Sequence, residues 1–125
     1  MKYTSELDSS NGICTVNVTG DYHRPMDSDE IKRFAIEFYI DHGCHLFLID
    51  LRQAEVLSGT ISSYRAAKTR AAVTKHLRKL KAAFVRKKLT EGDLFYENLS
   101  VNRGFQLRAF DSVGMAEWWL LKSKS

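Results

Sequence analysis

At 125 residues with 44% apolar and 27% charged positions, the chain is long enough to bury a core without disulfide or metal staples. No apolar run approaches the roughly 18 residues of a membrane span, and Met1-Lys2-Tyr3 does not lead into the apolar core of a signal peptide. Cys14 and Cys44 are too few for a disulfide framework, and their apolar settings predict reduced, buried thiols in a cytoplasmic protein.

The net charge of +4 is unevenly spread. Residues 1–55 hold five Lys/Arg against ten Asp/Glu, and residues 91–125 hold four against five. Residues 56–90 hold ten Lys/Arg and no acid. One helix and the strand after it therefore carry the positive excess. Such a face can meet an acidic protein, nucleic acid or an anionic membrane surface, and it can equally be a solvated helix side.

In chain order, the first pattern is a β-hairpin. Cys14, Val16 and Val18 alternate with Ile13, Thr15, Asn17 and Thr19, and Asn11-Gly12 supplies a turn dipeptide suited to a primed turn, which needs positive φ at both central residues. Asp21-Tyr22-His23-Arg24-Pro25 reads as the connection out of the hairpin. A helix follows, with Asp27 and Glu30 as a capping box and Met26 and Ile31 as its staple. Ile31, Phe34, Ala35 and Phe38 form the buried stripe, and Gly43 ends the helix.

A strand at 45–51 comes next. Its apolar residues run without alternation, as in a parallel strand covered on both faces. The loop after it leads through Ser58-Gly59-Thr60 to a second helix, from about Thr60 to Lys79. Ile61, Tyr64, Ala67, Ala71 and Leu77 face inward there, and Arg65, Lys68, Lys75, His76 and Lys79 face out. Leu80 to Val85 is a strand ended by Arg86-Lys87-Lys88. A third helix starts near Gly92-Asp93 and carries Leu94, Phe95 and Leu99, with Asn98 and Asn102 on its flanks, until Gly104 stops it. Phe105 to Phe110 is the last strand, and Asp111 or Ser112 caps a final helix. The order β-β-α-β-α-β-α-β-α predicts an α/β fold as one domain over residues 1–125. It has a mostly parallel sheet of about five strands, an N-terminal hairpin and about four helices.

In this order the chain resembles the STAS and SpoIIAA-like proteins, the fold of anti-sigma-factor antagonists, which is related to the lipid-binding CRAL-TRIO domains. The resemblance rests on Val16-Asn17-Val18-Thr19-Gly20, on Leu48-Ile49-Asp50-Leu51-Arg52 and on Tyr64 with Ala67. Toward the end it rests on Asn102-Arg103-Gly104, Arg108-Ala109-Phe110 and Ala116 with Trp119-Leu120. It spans most of the chain, and its pieces are packing patterns, not catalytic signatures. It implies a non-enzymatic regulatory module. In the antagonist branch a strand leads into Asp-Ser-Ser-Gly, whose second serine is phosphorylated by a partner kinase. The corresponding segment here is Val56-Leu57-Ser58-Gly59, so Ser58 and Gly59 match while apolar residues replace the acid and the first serine.

Ser58 is thus either a phosphoacceptor beside the positive end of a helix or, with Thr60, simply that helix's cap. No Gly-x-Ser-x-Gly elbow surrounds it. His42-Gly43-Cys44-His45 places three borderline ligands within four residues. Zinc wants about four well-spaced ligands, so no metal is expected, and His42 reads as a helix C-terminal residue with Cys44 turning inward. Asp50 and Arg52 read as an ion pair at a strand end that either orients the following loop or lines a cleft with Arg108. No phosphate loop, Walker lysine or dinucleotide fingerprint appears, so no cofactor is expected.

Ala116, Trp119 and Leu120 share one face of the last helix, which leaves Met115 and Trp118 as interface candidates for self-association, a homodimer included, or for a partner. The basic segment lacks the interleaved aromatics of a nucleic-acid surface, and weak contact with a membrane surface is compatible with it. The leading reading is a cytoplasmic, bacterial, regulatory protein-binding module. The alternative is a module for a small anion, nucleotide or lipid, held in the cleft at the C-terminal ends of the strands.

Overall fold

The alternation of Cys14, Val16 and Val18 becomes a core-facing row of a five-stranded sheet in a computed structural model that describes residues 1–58 and 75–122. The elements are β1 (Lys2–Asp8), β2 (Ile13–Arg24), α1 (Met26–His42), β3 (Leu46–Ser58), β4 (Lys81–Val85), α2 (Glu91–Asn102), β5 (Gln106–Phe110) and α3 (Val113–Leu121). Residues 75–77 are helical as well. The strands lie in sequence order. β1 pairs with β2 antiparallel, and the remaining neighbours are parallel. This is the expected mixed α/β sheet with an N-terminal hairpin.

Right-handed crossovers that step steadily across a sheet place their helices on one face. The larger core lies on that face and includes Val16, Tyr22, Ile31, Phe47, Ile49, Phe84 and Tyr96. After β5 the chain enters α3, which folds onto the opposite face. There Ala116 and Leu120 bury Ile13, Leu48, Ala83 and Val85, with Trp119 packed at the margin. The apolar run in β3 is explained by this division, since Phe47 and Ile49 serve one core and Leu48 the other.

Local structure departs from the sequence reading in several places. The hairpin is joined by residues 9–12, and Gly12 alone takes positive φ (76°), so the turn is not the primed Asn-Gly type. Asp8 holds the loop instead, its carboxylate accepting from the Ser10 amide and hydroxyl. Residues 21–24 are not a connection but the end of β2, and residues 52–58 are not a loop but the second half of β3.

Helix α1 starts two residues earlier than a box at Asp27 requires. No side chain caps it, because the Asp27 carboxylate accepts from the His23 amide instead, and Met26 is exposed rather than stapled. Its buried stripe is Ile31, Ala35 and Ile36, with Phe34 and Phe38 packed at the edge. Gly43 does end the helix, at φ 71° with its amide on Tyr39 O. The capping box belongs to α2, where Thr90 Oγ1 accepts from the Asp93 amide and Asp93 accepts from the Thr90 amide. The buried residues of α2 are Asp93, Tyr96 and Ser100, while Leu94 and Phe95 are exposed.

Candidate functional site

β4 ends level with Asp50, yet β3 continues through Leu51 to Ser58. Eight further residues at ~3.3 Å each carry the β2–β3 ribbon roughly 26 Å past that row. The ribbon begins at a bulge, where β3 spends Leu51 and Arg52 between the pairs Asn17↔Asp50 and Thr19↔Gln53 while β2 spends only Val18. One extra residue reverses the alternation. Before it Phe47, Ile49 and Leu51 meet the larger core, and after it Ala54 and Val56 do.

Asp50 and Arg52 build this bulge. One carboxylate oxygen of Asp50 accepts from the Arg52 amide at 3.1 Å and from Nε at 2.9 Å, and the other accepts from Nη2 at 2.8 Å. The hydrogen bonds from Arg52 hold the Asp50 carboxyl below the usual carboxylate range, against a smaller opposing effect of burial. The pair therefore orients a strand irregularity, not a loop. Arg108 does not join it. It lies on β5 in the row of Ala83 and Leu48, two strands from β3 and exposed above Phe110.

The backbone of Ser58 is the last of β3 and pairs with Arg24. Gly59, Thr60, Ile61, Tyr64, Arg65, Ala67, Lys68 and Ala71 lie outside the described residues. Of the basic face, Lys75 and Lys79 are exposed, and Leu77 is buried as expected. On α3 the Ser112 hydroxyl accepts from the Met115 amide, Ala116 and Leu120 are buried, and Met115 and Trp118 stand out in solvent with Leu121. Cys44 does turn inward, its thiol donating toward Gly12 O and Leu46 O. His42 stacks on Phe38 with ring centroids 4.4 Å apart. Burial, with Cys44 nearby, pushes the Cys14 thiol up to about 11, so it stays protonated at neutral pH.

Sequence reading missed a buried charge cluster. Arg24 Nη1 donates to Asp93 Oδ1 at 2.9 Å, with side chains only 1% and 0% exposed. Arg86 Nη1 stands 3.6 Å from the same oxygen. The Arg24 guanidinium also lies 4.9 Å from the Phe84 ring centroid and 4.7 Å from that of Tyr96. Burial holds the neighbouring Tyr22 phenol well above its usual value. The signal was present, because the alternation that buries Val16 and Val18 continues through Tyr22 to Arg24. Asp93 gave the complementary signal as the third residue of a capping box.

No protein-family model matches the chain, and no curated protein sequence matches it significantly. Solved structures do. A candidate anti-sigma factor antagonist from Thermotoga maritima superposes with a TM-score of 0.57 at 11% identity, over 94% of this chain and 93% of that one. The anti-sigma factor antagonist SpoIIAA in its unphosphorylated form superposes with a TM-score of 0.52 at 9% identity, over 91% and 92%. The fold is thus of the STAS/SpoIIAA-like type along nearly the whole length of the chain.

Proposed function

We propose that the protein is a non-enzymatic regulatory module that works by binding another protein, with the far end of the β2–β3 ribbon as its partner surface. The observation that carries this reading is the likeness, over more than nine-tenths of each chain, to two structures both described as anti-sigma factor antagonists. Ser58 ends β3 at the base of the segment that resembles the antagonist phosphorylation loop. Val56 packs against the core and Leu57 is exposed, so this strand end presents an apolar rather than an acidic approach to Ser58. That chemistry favours a constitutive protein contact over a kinase-controlled switch.

Affinity capture from native lysate with the wild type and Ser58→Asp in parallel tests the proposal. A protein retained by the wild type and released by the charged variant supports it. Identical retention by both removes the ribbon end as the partner surface.

Met115, Trp118 and Leu121 form a second exposed apolar group, on the opposite face of the sheet. We assign it to self-association. Trp118→Ala should lower the apparent mass in sedimentation at high protein concentration while leaving the unfolding midpoint nearly unchanged. An unchanged mass would remove this role. No helix among the described residues is long and apolar enough to cross a membrane.

A further inference from the structure

A cavity of about 70 Å³ lies between the sheet and helices α1 and α2. Its described walls are mostly apolar, with Ile31, Phe47, Leu51, Leu80 and Phe105 among them, and Arg24 and Lys32 are its charged lining residues. It is therefore not the strand-end cleft expected from sequence. The shallow depression nearer the strand ends, lined by Asp21, Arg52, Gln53, Glu55 and Lys87, is polar and open.

Arg24 leaves one of its edges unused. Nη1 is taken by Asp93, and Phe84 and Tyr96 lie against the guanidinium. Nε and Nη2 are buried and have no hydrogen-bond partner among the described residues. Unmade hydrogen bonds from a buried charged donor are costly and uncommon, so a pair of them on one group calls for an acceptor. These two nitrogens form the side-on edge of the guanidinium, whose parallel N–H bonds match the two oxygens of a carboxylate. Charge points the same way. Among the described residues, Arg24 and Arg86 share Asp93 as their ion-pair partner, which leaves one positive charge in excess there, while Lys32 is 3.7 Å from its own partner Asp29.

We propose that this cavity binds a small monocarboxylate, with the carboxylate on the Nε–Nη2 edge of Arg24 and a short apolar body against the wall around Phe47 and Leu51. A dry cavity of about 150 Å³ accepts benzene with room to spare, so one of half that volume suits an acid of no more than about three carbons. Arg24 pairs with Ser58 at the ribbon end, so the site adjoins the partner surface proposed above. Its test uses propionate and no protein partner, and so stands or falls separately.

Propionate is the probe. Titrating the full chain with sodium propionate should raise Tm saturably in the millimolar range and shift the side-chain Nε–H resonance of Arg24, identified by its loss in Arg24→Lys. Sodium chloride, sodium phosphate and n-propylammonium chloride at equal ionic strength should do neither. Because Arg24→Lys disturbs a buried pair, Ala82→Leu serves as a second variant that narrows the cavity and leaves the Arg24–Asp93 contact in place. Its propionate affinity should fall at least tenfold. No saturable response of the wild type, an equal response to chloride or phosphate, or an undiminished response of Ala82→Leu would each overturn the proposal.

Discussion

The two faces of the sheet are closed by different means. One is covered by α1 and α2 over a large core that also encloses a charged pair, Arg24 with Asp93. The other, among the described residues, is closed by the short helix α3 through Ala116 and Leu120. The face with more apolar cover is the one that tolerates a buried ion pair, because the pair is held by aromatic rings, a capping box and a second arginine. The thinner face is apolar at its centre and meets cations at the rim, where Lys81 Nζ donates to Trp119 O and lies 4.5 Å from its ring centroid and where Arg108 lies over Phe110. Burial depth thus decides what polarity each face can carry.

The sharpest way to break this comparison is to remove half of the buried pair. Asp93→Asn leaves two guanidinium groups facing a neutral amide, and breaking a buried pair costs about 3–5 kcal/mol. Urea unfolding should show a loss of that order. A loss below about 1 kcal/mol would mean that water reaches the cluster. On the other face, Leu120→Ala opens a cavity under α3 and should cost about 2–4 kcal/mol, the usual cost of a buried Leu-to-Ala change. The two variants differ in kind. Methionine at 120 should restore most of the lost stability, whereas no apolar substitution at 93 rescues the unpaired arginines.

A matched pair of caps sharpens the contrast. Thr90 and Ser112 each accept one helix N–H, and an alanine at such a position costs ~1 kcal/mol. Thr90 also donates its amide to Asp93, which holds Arg24, while Ser112 caps a helix with no buried charge behind it. Thr90→Ala should therefore exceed Ser112→Ala in equilibrium unfolding. Equal losses would show that the capping box does not help to position Asp93.

These regions were unequally legible in the sequence. The centre of the sheet, the Gly43 stop and a cap at Asp111 or Ser112, which proves to be Ser112, follow from local pattern, because each depends on neighbours a few residues away. The inward side of α3 was legible for the same reason, since spacing alone separates Ala116 and Leu120 from Trp118. The β2–β3 ribbon was not legible. Its bulge inserts one residue at Leu51-Arg52, and a period-two pattern interrupted at that point reads as a strand followed by a loop. The face of α2 was misread because Leu94 and Phe95 are apolar and exposed while Asp93 is charged and buried, an inversion set by Arg24, 69 residues earlier. The Arg24 half of that pair lay on the alternation of β2, whereas the Asp93 half ran against the apolar pattern of its own helix.

The smallest effect concerns the bulge, where the two halves of the ribbon meet. Asp50 and Arg52 are linked by three hydrogen bonds, but Arg52 is 44% exposed, so the pair behaves as a surface ion pair and contributes about 0.2–1 kcal/mol. Its pH dependence identifies it. The folded carboxyl titrates below the ordinary aspartate value of about 3.9, so its contribution is fully present above that value and is lost as pH falls through the lower folded one. The stability gap between wild type and Asp50→Asn should therefore be constant from neutral pH down to about 5 and should close in acid. Salt should narrow the gap at neutral pH, as it does for exposed charges. A gap that persists at low pH would mean that asparagine fails to accept the Arg52 amide, so that the backbone hydrogen bond rather than the charge holds the bulge. That outcome would move the control of the ribbon from electrostatics to local strand geometry.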